Sequence, residues 1–276
     1  MILRCIYCSS SYFVRNGHDS KGVQRYKCND CHRRFCEKGI FARHRFPAEI
    51  IMNAIFFRSF PLSTRNVERI LKKICFVIVN HKSIYNWLVK FVPYLIKIAL
   101  NKPIAFTKEW HVDEKFIHIR KSKDPHAYLW IVSDSNSNII STHVGFVRGI
   151  EDAIIALTKA KERAGFSPEL LVSDKLQAYK RAVRKTFGRQ TRHVRAHFKP
   201  VGIVHKRKLM QITNNSAERI NEFPALWLHV CRGFKRLDRA NMFCEFFAVN
   251  YNYFMDHPTK EEPKISWEKV PLLIKS

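Results

Sequence analysis

Acidic residues are scarce in this chain: 23 Asp and Glu stand against 49 Lys and Arg, a formal charge of +26 over 276 residues. Such an excess exceeds what solubility requires and points to a polyanionic partner, nucleic acid first. Long apolar runs are also missing, and stretches such as 74–79 are far too short to span a membrane. The opening Met-Ile-Leu-Arg-Cys lacks the extended apolar core of a secretion signal, so the expectation is a protein neither secreted nor membrane-bound, in a reducing cytosolic setting. Internal repeats and low-complexity segments are absent. With 46% of positions hydrophobic and 13% aromatic, disorder is not the default, and there is material for the cores of two or three domains.

Cysteines are present but unevenly placed. Cys5, Cys8, Cys28, Cys31 and Cys36 fall in the first 36 residues, whereas Cys75, Cys231 and Cys244 are scattered as ordinary buried thiols are. The spacing Cys5-x2-Cys8, nineteen residues, Cys28-x2-Cys31 forms two knuckles that supply four soft ligands for one closed tetrahedral zinc; two disulfides or free thiols are the alternative. Gly17 and Gly22 suit a hairpin turn between the knuckles, and a unit of residues 1–40 has too little core to fold without a staple, so the zinc is structural. His32 and Cys36 read as bystanders. Arg25, Lys27, Arg33 and Arg34 around the second knuckle fit a phosphate-facing ribbon or a solvated face.

Residues 41–102 carry helical apolar spacing. One helix is expected from Pro47 to about Phe57 and a second from Thr64 to about Ile74, the latter striped by Val67, Ile70, Leu71 and Ile74. A third has Ser83 as N-cap, a buried stripe of Ile84, Trp87, Leu88 and Phe91, and Pro93 as its stop. Lys82, Tyr85, Asn86 and Lys90 then lie on or beside its outer face, as in the recognition helix of a helix-turn-helix in a major groove; a plain helical linker shares the same spacing.

Pro103 marks the boundary to a third stretch, 103–276, in which strands alternate with helices. Strands are expected over 110–120, 127–132 and 139–147, then a helix over 150–164 and a buried strand over 169–173, an α/β arrangement. Asp113 lies inside an otherwise apolar strand, and Asp174 directly follows the run Leu170-Leu171-Val172-Ser173. A carboxylate so placed is costly unless paired or metal-bound, and metal ligation accounts for both. Glu218, opening a helix after Asn214-Asn215-Ser216-Ala217, can complete a set of three hard donors suited to Mg²⁺ or Mn²⁺ and to phosphoryl transfer. Glu114 and Glu222 compete for these places, and each acid taken alone also fits a cap, turn or ion pair.

Five stretches carry a resemblance. Trp110-His-Val-Asp113-Glu, Tyr128-Leu-Trp130 with Asp134, Ser173-Asp174-Lys-Leu-Gln-Ala-Tyr179, Asn214-Asn-Ser-Ala-Glu218-Arg219 and Arg232-Gly-Phe-Lys235 resemble, in order, the landmarks of DDE transposases with an RNase H-like catalytic domain. The chain is most similar to short insertion-sequence transposases of family six, of the archaeal type with an N-terminal zinc ribbon, and His81 to Trp87 looks like that family's helix-turn-helix signature. The resemblance implies Asp113, Asp174 and Glu218 as the catalytic triad holding two divalent ions, Mg²⁺ or Mn²⁺. It also implies an enzyme that binds the terminal inverted repeats of its element, nicks them to free 3′-hydroxyls and joins these to target DNA, as a dimer or larger assembly in the prokaryotic cytoplasm, at the nucleoid.

The basic charge suits that role. From Lys175 to Lys208 there are twelve Lys or Arg and no acid; Lys180, Arg181, Arg184 and Lys185, with Arg232 and Lys235 further on, are the expected contacts to the DNA backbone. Two departures from the family stand out. The interval from Asp174 to Glu218 is wide, with its surplus between Gly188 and Ile212 near Pro200 and Gly202. Between Glu218 and Arg232, where the family is basic, the chain reads Phe223-Pro-Ala-Leu-Trp-Leu-His-Val-Cys231; Pro224 is expected to break the helix, and Leu226, Trp227 and Leu228 to make an apolar contact in place of a DNA contact. The alternatives are an inactive transposase-derived or regulatory DNA-binding protein, and a resolvase-like nuclease.

Overall fold

The computed structural model describes residues 3–8, 10–20, 22–36, 41, 44–120, 126–196, 200–205, 208–214, 220, 224, 226–230 and 233–255. They form two compact units: one holds the described residues up to Arg58 with Thr64–Ile98, the other Ser59–Ser63 with those from Ala99 onward. No helix among the described residues is long and apolar enough to cross a membrane.

In the first unit β1 (Phe13–His18), β2 (Gln24–Cys28) and β3 (Arg34–Cys36) form an antiparallel sheet in that order. Asp19 closes the β1–β2 turn by accepting the Val23 N–H on Oδ1 at 2.9 Å, and Gly22 takes φ 74°, a left-handed conformation that glycine adopts without strain. Phe13, Tyr26 and Phe35 meet with ring centroids 5.2 to 5.5 Å apart and pack with buried Cys5 and Cys28. So small a cluster offers little burial with which to offset chain entropy.

Three helices follow, α1 (Ala48–Ser59), α2 (Thr64–Ile74) and α3 (His81–Leu100). The first two lie within two residues of where the apolar spacing sets them. The third differs from expectation at both ends. Its cap is Asn80, whose Oδ1 accepts the Lys82 N–H at 2.8 Å, rather than Ser83, which is already helical. Pro93 does not stop it either. The stripe Phe91, Val92, Leu95, Ile96 and Ala99 is buried, and that packing outweighs the one backbone hydrogen bond proline cannot donate.

The second unit centres on a five-stranded sheet built from β4 (Glu109–His118), β5 (His126–Asp134), β6 (Ile139–Gly145), β7 (Leu170–Ser173) and β8 (Arg192–Arg195), in the order β6-β5-β4-β7-β8. The first three make an antiparallel meander; β7 and β8 run parallel to β4, connected through α4 (Ile150–Ala164) and α5 (Gln177–Phe187). A meander followed by two parallel strands with β4 central is the RNase H-like fold. Period-two alternation gives the sheet two apolar faces. Trp110, Val112, Trp130, Val132 and Leu171 pack against Ala153, Leu157, Tyr179 and Phe187 of α4 and α5.

Leu170, Val172 and Val194 point to the other face, where Ile203 and Ile212 cover them. Those two isoleucines come from an antiparallel hairpin, β9 (Val201–His205) with β10 (Lys208–Ile212). The surplus chain around Pro200 and Gly202 is therefore this hairpin. A final helix, α6 (Leu237–Tyr253), lies along β6, where the Asn252 side chain bonds the Ile139 N–H at 2.9 Å and its carbonyl at 2.7 Å.

Among the described residues Ile220, Pro224 and 226–230 are helical, so helix is found beyond Pro224, where a break was expected. Gly233 docks its segment on the end of β4: the Phe234 N–H donates to the His118 carbonyl at 3.0 Å, and φ at Gly233 is 80°. A Cβ there would stand 2.7 Å from the His118 carbonyl oxygen. Gly233→Ala is expected to destabilise the second unit by about 1–3 kcal/mol through left-handed strain plus that clash, read as a lower melting temperature; an unchanged melting temperature would contradict the docking.

Candidate active site

The site grows from one strand pair. In the parallel register of β4 and β7, His111 stands opposite Val172 and Val112 opposite Ser173. The next residue on each chain is an acid, Asp113 and Asp174. All four residues of β7 are buried, and the strand ends where Asp174 Oδ1 accepts the Leu176 N–H at 2.8 Å, an Asx turn that leads into α5. Asp113, Glu114 and Asp174 each bring a carboxylate oxygen within 4.8 Å of the others. Three hard oxygen donors at that separation fit one or two divalent ions of the Mg²⁺ or Mn²⁺ type and are a poor match for soft metals.

Glu114 differs from its neighbours. Its side chain is 2% exposed, against 21% for Asp174. Tyr179 Oη donates to Glu114 Oε2 at 2.5 Å, and Arg148 donates to Glu114 Oε1 from Nε at 2.7 Å, with Nη2 at 2.5 Å from the same oxygen. Burial pushes the Glu114 carboxyl up and the nearby Asp174 charge adds to this, while the Tyr179 and Arg148 hydrogen bonds oppose it. The same contacts raise Arg148, and burial holds Tyr179 well above its ordinary value.

Glu218 and Arg232 lie outside the described residues, as does Glu222. The expected DNA contacts that are described all face solvent. Lys180, Arg181, Arg184 and Lys185 line the outer face of α5, opposite its buried Ala178, Tyr179, Ala182 and Val183. Lys235 is exposed, as are Lys82, Tyr85, Asn86 and Lys90 on α3; the Lys90 ammonium also sits 2.7 Å from His44 Nε2. Trp227 is buried against Phe243 and Phe246 and donates its Nε1–H to the Phe60 carbonyl at 3.0 Å, and Leu228 is half-buried, whereas Leu226, expected in the same apolar contact, is exposed. Sequence reasoning missed Arg148, which is 34 residues from Glu114 and has no spacing signal; only strand order joins them.

A second cluster lies in the ribbon. The four sulfurs of Cys5, Cys8, Cys28 and Cys31 lie within 4.8 Å of one another, with Cys5–Cys31 and Cys8–Cys28 both at 3.5 Å. A disulfide needs about 2.05 Å, whereas the edge of a zinc–sulfur tetrahedron is about 3.8 Å, so the arrangement suits a metal rather than two bridges. The Cys31 and Asp30 backbone N–H groups hold the Cys28 thiol down to about 7.

Residues 107–257, more than half of the chain, match the DDE domain family. The chain belongs to the DDE transposases of insertion-sequence family six. Two transposases from Staphylococcus aureus align with this chain: that for insertion sequence-like element IS431mec and that for insertion sequence element IS257 in transposon Tn4003. Each is 24% identical over 146 residues, covering 52% of this chain and 63% of the relative. The chain thus matches somewhat under two thirds of the length of these curated relatives. They come from Staphylococcus, so an archaeal origin has no support. Among solved structures, the HTLV-2 integrase catalytic core domain in complex with magnesium aligns at 13% identity and TM-score 0.36, covering 62% of this chain and 98% of that one. The simian T-cell lymphotropic virus intasome in complex with PP2A regulatory subunit B56 gamma aligns at 13% and 0.39, covering 62% and 56%.

His193, on β8 beside the site, donates to or accepts from Ser173 Oγ at 2.8 Å. Burial and the Arg195 charge push its imidazole down from 6.5 to about 4. The unfolded chain therefore binds this proton at higher pH than the folded one, and the stability it contributes is complete above about 6.5 and lost as pH falls toward about 4. Between pH 7 and pH 5 the melting temperature of the wild type is expected to fall more than that of His193→Gln; parallel curves would contradict this.

Proposed function

We propose that this chain binds the ends of a mobile element and carries out metal-dependent nicking and 3′-hydroxyl strand transfer. The single observation behind the reading is the convergence of Asp113 and Asp174 on adjacent parallel strands within a domain of DDE family membership. In this reading Glu218 supplies the third acid of the triad. The three acids would hold divalent ions, whose chemistry would be to acidify a water and to offset negative charge at the leaving oxygen. In nicking, the water oxygen bonds to phosphorus as the P–O3′ bond breaks, and the freed 3′-oxygen takes a proton. In joining, that 3′-hydroxyl bonds to a target phosphorus and a target 3′-hydroxyl leaves. Asp113 and Asp174 fix the reacting centre, and Lys180, Arg181, Arg184 and Lys185, with Arg232 and Lys235, track the backbone.

The remaining division of labour follows from the same reading. Residues 1–40 are a zinc ribbon with one structural zinc on Cys5, Cys8, Cys28 and Cys31; residues 41–102 are a helix-turn-helix domain reading terminal repeats through Lys82, Tyr85, Asn86 and Lys90; residues 103–276 are the catalytic domain. Terminal inverted repeats and target DNA are the partners, and the working form is a dimer or larger assembly on DNA, in the prokaryotic cytoplasm.

Asp113→Asn is expected to reduce nicking of end-sequence DNA in Mg²⁺ by about a thousandfold while binding stays nearly intact; retained cleavage would sink the assignment. Metal analysis of the purified chain is expected to find one zinc, lost in the double variant Cys28→Ser, Cys31→Ser. Zinc-free wild-type protein would count against the ribbon. Joined products from linear end DNA distinguish a transposase from a resolvase-like nuclease.

A further inference from the structure

We propose that Arg148 is a substrate-binding residue, which holds a non-bridging oxygen of the scissile phosphodiester beside the carboxylate cluster, with Glu114 as its positioning residue. The inference rests on the phosphoryl-transfer reading and adds to it a cation that the acidic triad does not contain.

Three features carry it. The Glu114 side chain is only 2% exposed, against 21% for Asp174, and both its oxygens are engaged, one by Tyr179 and one by Arg148. A carboxylate committed in this way serves to aim its partner more than to receive an ion. Second, the guanidinium is gripped along its Nε–Nη2 edge, and the planar fork has a second edge with which to meet another oxyanion. Third, Arg148 Nη2 stands 3.9 Å from Asp174 Oδ2, beyond hydrogen-bond reach, and 49% of the side chain faces solvent. A mere brace for a buried glutamate needs neither that exposure nor that proximity to the second acid of the site.

The chemistry asks for such a group. Three carboxylates within 4.8 Å repel an approaching phosphodiester, and an arginine fixed at their rim offsets that repulsion and grips an equatorial oxygen as charge builds on it. Tyr179, fully buried on α5 against Trp130, fixes Glu114 in turn, so the chain of support runs from the core outward: Trp130, Tyr179, Glu114, Arg148.

The test uses the full chain in single-turnover nicking of pre-bound end DNA in Mg²⁺, with Asp113→Asn as the dead reference. Arg148→Ala is expected to slow cleavage about 100-fold, with DNA affinity changed less than about threefold, and added guanidinium ion is expected to restore at least about tenfold of the loss. Arg148→Lys keeps the charge but not the fork and falls between the two. The melting temperature of Arg148→Ala, measured alongside, is expected to fall because Glu114 loses its partner on Oε1, whereas Arg148→Lys, which keeps a cation there, stays close to the wild type. Wild-type cleavage by Arg148→Ala, or a loss that guanidinium leaves untouched, overturns the inference and leaves Arg148 as a brace. Wild-type protein as inert as Asp113→Asn overturns the phosphoryl-transfer reading itself.

Discussion

Parallel pairing of β4 with β7 is the constraint on which the site depends. It sets two aspartates side by side, with a glutamate close by, although their charges repel: two unit charges 4.8 Å apart cost about 3 kcal/mol at an effective dielectric constant near 20. Nothing within the carboxylates favours that arrangement. It is imposed by buried pairs two and three residues earlier, with His111 opposite Val172 and Trp110 opposite Leu171, and by the helices α4 and α5 that bury one face of the sheet. Arg148 offsets part of the repulsion from the rim. A bound divalent cation would offset the rest, which is the physical sense in which the fold anticipates its metal.

Much of this was legible in the sequence because it was local. Cys5-x2-Cys8 and Cys28-x2-Cys31 announced a four-sulfur cluster, and the apolar runs announced β4 to β7 and α4 nearly to the residue. Asp113 and Asp174 stood out because each interrupts or ends an apolar run. What stayed hidden was tertiary. Arg148 meets Glu114 only through strand order, so no spacing marks it, and the burial of Glu114 with its two partners within the carboxylate cluster is equally a tertiary feature. Proline misled twice: helix is found beyond both Pro93 and Pro224, and at Pro93 the buried residues on either side show why, since packing outweighs a single missing donor.

Both departures from the family acquire a structural account. The surplus between Asp174 and Glu218 is a hairpin whose Ile203 and Ile212 cover the face of the sheet that α4 and α5 leave open. The apolar stretch after Glu218 carries Trp227 into the packing against α6. The charge has a comparable division: α5 turns its alanines, Tyr179 and Val183 inward and its lysines and arginines outward, so one helix both braces the acid cluster and offers a basic face beside it.

The central claim is that Asp113 and Asp174 hold divalent metal together with Glu218. Iron-directed cleavage tests it most directly: Fe²⁺ loaded in place of Mg²⁺, followed by peroxide and ascorbate, cuts the backbone next to the ion. The account predicts cuts close to residues 113, 174 and 218, all suppressed by excess Mg²⁺ and by Asp113→Asn. Cuts near residue 222 instead of 218, or none that Mg²⁺ suppresses, would contradict it.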